Sequence, residues 1–299
     1  MVFRNADLPA LFHRADELAV TRQREAVQAT RLQLFLLVLG ALLAAVPGGL
    51  RLSGGFQLAG ALSASAYAGV LLVTYRAARR RPKAQWRLNR SAAEFIKSMS
   101  WRYAVHGAPF TTDAADADRL FVARLEDGLA ELRKVGWQDP REAEKSAGLE
   151  LITPAMRMLR EKPFRVRKET YVRDRLIEQR TWYHRRQVVS RHATALWSAT
   201  TAALTLGALL LGLLRAFSVG GSPLAAALLT AAAAASVAWS QSRSHQPLIA
   251  AHALVEQDLA ALHTAMETHV TETDWPTAVY ETERVVSPQH TDWLIQHRA

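Results

Sequence analysis

The sequence predicts an all-α integral membrane protein: four transmembrane helices arranged as two hairpins, with a cytoplasmic helical layer. Three observations predict it. Four long apolar runs, 32–50, 52–75, 193–214 and 216–242, contain no charged residue. Arginine crowds one set of their ends. Elsewhere apolar residues recur at helical spacing, and no strand-like alternation persists.

Each run has the roughly 20 residues that a helix needs to cross a hydrocarbon core of about 30 Å. Inside lipid the backbone must satisfy itself, which leaves helices and closed barrels. Between the third and fourth runs stands a single charge, Arg215, followed by Gly220-Gly221-Ser222-Pro223. Glycine permits the turn and proline starts the next helix. Between the first and second stands Arg51, with Pro47-Gly48-Gly49 and Ser53-Gly54-Gly55 around it. The two hairpins read as copies. Leu39-Gly40-Ala41-Leu42-Leu43 recurs as Leu206-Gly207-Ala208-Leu209-Leu210, and each is followed by one arginine and a Gly-Gly pair. A repeated supersecondary unit predicts this order.

In chain order, residues 7–31 form an amphipathic helix with Leu11, Leu18, Val20 and Val27 on its apolar stripe and Asn5 or Asp7 as cap. It runs unbroken into the first span. After the second span, Asn89 or Ser91 starts a helix to His106, presenting Ala92, Phe95, Ile96, Met99 and Tyr103 on one face. Gly107-Ala108-Pro109 ends it. Thr112 or Asp113 starts the next, with Leu120, Phe121, Leu125, Leu129 and Leu132 at helical spacing and Gly136 as its stop. Asp139-Pro140 starts a third that reaches Arg160, interrupted or restarted at Pro154. A long helix from about Lys168 enters the third span. The fourth continues past Ser242 as a stalk through Leu259 and Met266, with Pro247 as a kink. The tail carries Trp275, Tyr280 and Trp293, enough aromatic surface to dock.

The domain reading is therefore a first two-span module at 1–110, a helical connector at 111–165, and a second two-span module with stalk and tail at 166–299. Net charge is +10, which suits either nucleic acid or a membrane protein with positive cytoplasmic loops. The placement of the basic residues selects the membrane. Arg22, Arg24, Arg31, Arg76, Arg79, Arg80, Arg81, Lys83, Arg180, Arg185, Arg186, Arg191 and Arg243 all flank one set of span ends. Such flanks are retained in the cytoplasm. The expectation is a multi-pass inner-membrane protein with both termini cytoplasmic and no nucleic-acid partner. The polar, acid-containing N-terminus does not read as a cleaved signal peptide.

Three stretches carry a resemblance. Phe95-Ile96-Lys97-Ser98-Met99-Ser100-Trp101-Arg102-Tyr103-Ala104 followed by Pro109-Phe110 resembles the Trp-Arg-Tyr segment after the first hairpin of the SLATT superfamily, the SMODS- and SLOG-associating two-transmembrane effector domains. Tyr171, Arg175, Gln179, Trp182 and Tyr183, leading into a hairpin, are similar to the entry helix of another such module. Ser287, His290 and Trp293 resemble its closing pattern, although an acid expected there is Gln289 in this chain. The resemblance implies two tandem modules. It also implies a homo-oligomeric bacterial effector that forms an ion or solute pore in nucleotide-linked anti-phage defence, with a nucleotide signal or associated defence proteins as partners. Two other readings are a non-conducting membrane scaffold and a membrane-bound nucleotide sensor.

Chemistry is sparse. Without cysteine there is no disulfide, Cys-ligated zinc or thiol catalysis. No phosphate loop, serine elbow or His-Glu-x-x-His is present, so neither an enzyme nor a cofactor is expected. His245, His252, His263 and His269 share no helix face suited to a metal, and Asp113, Asp116 and Asp118 read as a helix start. The pore-lining candidates are Gln33, Gln57, Ser63, Ser65, Thr200, Thr201 and Thr205, against the alternative that the hydroxyls bond their own backbone. Gly60-x-x-x-Ala64, Ser65-x-x-x-Gly69 and 231–235 allow close helix packing. Arg51 and Arg215 are candidates for a positive ring at the outer mouth. Arg76, Arg79, Arg80, Arg81, Arg180, Arg185 and Arg186 contact anionic lipid or an anionic nucleotide.

Overall fold

The structure, a computed structural model, describes residues 2–46, 57–114, 116–144, 150–218, 220, 222–243 and 245–286, with backbone alone at 143–144 and 245–248. Arg51, Trp293, the closing pattern at 287–293 and both Gly-Gly pairs are wholly or partly outside the described residues. The helices are α1 (Ala10–Ala44), α2 (Leu58–Arg80), α3 (Pro82–Ala104), α4 (Ala117–Lys134), α5 (Pro140–Glu144), α6 (Pro154–Arg160), α7 (Phe164–Tyr171), α8 (Glu178–Ala216), α9 (Pro223–Arg243), α10 (His245–Thr268) and α11 (Trp275–Val286). A π-helical turn, Val172–Ile177, joins α7 to α8. No strand occurs among the described residues, and four helical stretches are long and apolar enough to cross a membrane.

Proline and the local polar partners decide where the helices begin. Asp7 does not cap α1: it closes its own short turn, accepting from the Arg4 backbone at 2.7 Å, and α1 starts after Pro9. At the end of α2, Arg81 takes a left-handed φ of 44° and Pro82 starts α3, seven residues ahead of Asn89. Proline's fixed φ suits a first helical position. Asn89 then lies inside the helix, where its Oδ1 accepts from the Trp137 indole at 3.1 Å. Asp116, not Thr112 or Asp113, caps α4 by accepting from the Arg119 backbone. The Thr112 hydroxyl instead pairs with His106 Nδ1 at 2.9 Å. Thr153 caps α6 ahead of Pro154, so a second short helix replaces one long one.

The chain forms two compact units. The first gathers Met1–Gln23, Lys83–Arg186 and Ala251–Ala299, and the second gathers Arg24–Pro82 and Gln187–Ala250. Three of the four crossings between them fall inside a helix, in α1, α8 and α10.

The first unit has an aromatic spine. Phe3 stands edge-on to Trp101 at 4.7 Å, Trp101 to Tyr171 at 5.7 Å, and Tyr171 to Trp275 at 5.6 Å. Such pairs contribute about 0.5–1.5 kcal/mol each beyond burial. The α4 face of Phe121, Leu125, Leu129 and Leu132 is fully buried. A Cβ on Gly128 would lie 2.1 Å from the Phe95 ring, so α3 and α4 approach there because glycine has no side chain.

The second unit holds the apolar stretches. Gln33 Nε2 donates to Thr74 Oγ1 at 2.9 Å, Leu36 lies against Gly69, and Ser63 Oγ donates to the Gly40 carbonyl at 2.8 Å. These contacts ascend α1 and descend α2, so the two run antiparallel. Trp197 and Trp239 are 6.2 Å apart, Thr201 and Ser236 share a 2.8 Å hydroxyl bond, and Gly207 faces Leu229; α8 and α9 are antiparallel too. The glycines of the repeated pentapeptide, Gly40 and Gly207, occupy the same role. A Cβ on either would meet its partner helix at 3.0 Å.

Candidate functional site

Polar chemistry concentrates in the first unit, where the π-helical turn meets α3 and α11. A π turn spreads its hydrogen bonds to i→i+5 and is uncommon outside functional sites. Here it carries Arg175 inward. That guanidinium is fully buried and makes a bidentate pair with Glu283 of α11, Nε to Oε1 at 2.9 Å and Nη2 to Oε2 at 2.8 Å. The Tyr171 hydroxyl donates to the same Oε1 at 2.9 Å. Nη1 of Arg175 is buried without an acceptor among the described residues. From α3 come Lys97, 5 % exposed, and Glu94, which pairs with Arg90; Arg90 also reaches Asp16 of α1 at 2.9 Å. Burial works to raise the Glu94 pKa, but Arg90 and Arg175 outweigh it and hold the carboxyl below its ordinary value.

Lys97 is the strained member. Burial first and the Arg175 charge second push its pKa down to about 8, against the pull of Glu94, Glu178 and Glu283. Between pH 8 and the value of a lysine in the unfolded chain, about 10.4, the folded protein has released this proton and the unfolded chain keeps it. Stability therefore rises with pH through that window. We expect Lys97→Met to melt higher than wild type near pH 7, by on the order of 2–3 kcal/mol, and to lack the alkaline rise. Parallel pH–melting curves of the two proteins in detergent check this.

The Trp-Arg-Tyr residues point three ways. Trp101 joins the spine. Arg102 donates to the Ala108 carbonyl at 2.7 Å and stacks 4.7 Å from the Tyr280 ring. Tyr103 bonds Asp118 and packs on Phe121. Along the entry helix, Tyr183 donates to the Val286 carbonyl at 3.3 Å and faces His252 at 5.4 Å, Trp182 is half-exposed beside it, and Gln179 is partly exposed on α8. The motif residues Tyr171 and Arg175 thus meet at one carboxylate, Glu283, which the sequence reading did not single out.

The span candidates have local partners. Ser65, Thr200 and Thr205 donate to carbonyls four residues back, at 2.8–2.9 Å. Gln33, Ser63 and Thr201 tie helix to helix as described above, and Gln57 is exposed at the start of α2. Arg215 is exposed at the end of α8. In the second unit Arg76, Arg79, Arg80 and Arg81 are exposed; in the first, Arg185 and Arg186 are exposed and Arg180 partly so.

Four apolar helical stretches, paired antiparallel around equivalent glycines, define a membrane protein made by doubling a two-span module. Residues 9–168 match the model of SMODS and SLOG-associating 2TM effector domain 3, and residues 171–293 match that of domain 1. The chain belongs to the SLATT family and carries two of its domains in tandem, divided where α7 meets the π turn. SLATT domains are two-transmembrane effector domains associated with defence systems. No curated protein and no solved structure matches the chain.

Proposed function

We propose that this protein is an oligomeric effector of the bacterial inner membrane that forms an ion or solute pore in nucleotide-linked anti-phage defence. It acts without catalysis, and both termini face the cytoplasm. One observation carries the reading: α8 is a single helix of 39 residues that begins at the buried charge cluster and ends as an apolar span. A displacement of its first turns is passed along a rigid rod. Oligomerisation follows from how little the spans enclose. At most 11 % of any apolar stretch is buried, and the span hydroxyls are bonded within the chain, so one copy lines no water path. Several copies packed through small residues supply one.

The test is release of entrapped potassium from liposomes reconstituted with purified protein. The expected result is release that grows more steeply than linearly with the protein-to-lipid ratio. Liposomes that hold their contents with the protein demonstrably inserted would sink the pore and leave the membrane scaffold. Arg215→Glu should shift the current toward cations, because Arg215 places positive charge at the outer end of the third span.

A further inference from the structure

We propose that Arg31 and Arg243, gathered on the indole of Trp239, form a binding site for the phosphate headgroup of an anionic phospholipid. The Arg31 guanidinium carbon lies 5.3 Å from the Trp239 ring centre and that of Arg243 lies 5.7 Å from it. Both fall within the reach of a cation–π contact. The two cations come from different helices, α1 and α9, and Trp197 of α8 backs the indole at 6.2 Å. Three helices therefore converge on one aromatic platform. Arginine's planar fork matches a phosphate bidentately, and stacking on the indole orients the fork while its N–H edge stays available.

The depth fits a headgroup. Arg31 stands one residue before the first apolar run, Trp197 lies near the start of the third, and Trp239 and Arg243 lie at the end of the fourth. Tryptophan concentrates at that level of a bilayer. Charge complementarity identifies the occupant. The second unit holds ten arginines, no lysine and one acidic residue, Glu25. One carboxylate cannot neutralise ten guanidiniums, so the counter-charge must come from outside the unit, and an anionic leaflet offers it where these side chains lie. The basic run at the end of α2 differs: Arg79 stacks only on Tyr75 of its own helix, at 5.7 Å. The site does not depend on whether the chain conducts.

Native mass spectrometry of the full chain from detergent doped with phosphatidylglycerol or phosphatidylcholine tests this. Wild type should retain phosphatidylglycerol in preference to phosphatidylcholine. Arg31→Gln/Arg243→Gln should lose that preference roughly tenfold, while Arg79→Gln/Arg80→Gln keeps it. Equal retention of the two lipids, or equal phosphatidylglycerol retention by wild type and the Arg31/Arg243 variant, overturns the site. Displacement of phosphatidylglycerol by millimolar inorganic phosphate overturns the lipid assignment in favour of a free anion. If the double variant does not stay monodisperse, Arg31→Gln alone gives the reading: Arg31 is exposed, and its loss must weaken retention several-fold.

Discussion

Glu283→Ala is expected to destabilise the protein by about 3–5 kcal/mol, the cost of leaving a buried guanidinium without its partner. Arg175 has no exposed surface, and one of its nitrogens already lacks an acceptor among the described residues. Two of its hydrogen bonds and the Tyr171 hydroxyl bond end on this one carboxylate. Water cannot replace it without opening α11 from the spine. Thermal unfolding in detergent should show a fall of the order of 10 °C. Replacing both members, Arg175→Leu with Glu283→Leu, should recover most of the loss, since a buried pair is often matched by apolar residues of similar volume. Tyr171→Phe should cost only about 1 kcal/mol. A single Glu283→Ala variant that melts within a degree or two of wild type would show that the cluster is not what holds α11.

The contrast between what was legible in the sequence and what was not has a physical basis. Spans announce themselves because charge is expelled from lipid whatever the neighbouring helices do, so 32–46 and 193–214 fall inside α1 and α8. The repeat was legible because a close helix crossing demands glycine at both Gly40 and Gly207. Helix starts were less legible. Asn89 has the right chemistry for a cap, but Pro82 starts the helix first and the Asn89 side chain is needed by Trp137. Glu283 was invisible for another reason. It sits on a short helix among charged and polar neighbours, and nothing local separates a buried glutamate from an exposed one. Only the fold brings Glu283 108 residues back to Arg175. The nearest signal was the motif itself: an arginine one turn after a tyrosine, at the head of an otherwise apolar helix, requires an acid somewhere. The π turn had no signature at all, because Val172–Ile177 would make an ordinary helix.

That the tail docks was expected from its aromatics, and the docked residue is Trp275. Its indole is 1 % exposed, stands edge-on to Phe164 and Tyr171 at 5.6 Å each, and donates to the Val105 carbonyl at 2.6 Å. The same carbonyl accepts from Arg167 at 3.1 Å, and the next residue, Pro276, accepts from the Ala108 backbone at 2.9 Å. Trp275, Val279, Glu283 and Val286 recur at helical spacing and are the buried face of α11, so Trp275 anchors its first turn and Glu283 its last. Trp275→Ala is expected to cost about 3–5 kcal/mol, as large aromatic truncations in packed cores do. The loss should be local before it is global. Amide exchange over 275–286 should accelerate while the amides of α1 and α8 within the spans stay protected, because α11 makes no hydrogen bond within the span unit. Trp275→Phe keeps the edge-on contacts and loses only the indole donor, so it should cost about 1–2 kcal/mol. Exchange that accelerates equally in α11 and in the spans would mean that the C-terminal helix is not a separable latch but part of one cooperative fold.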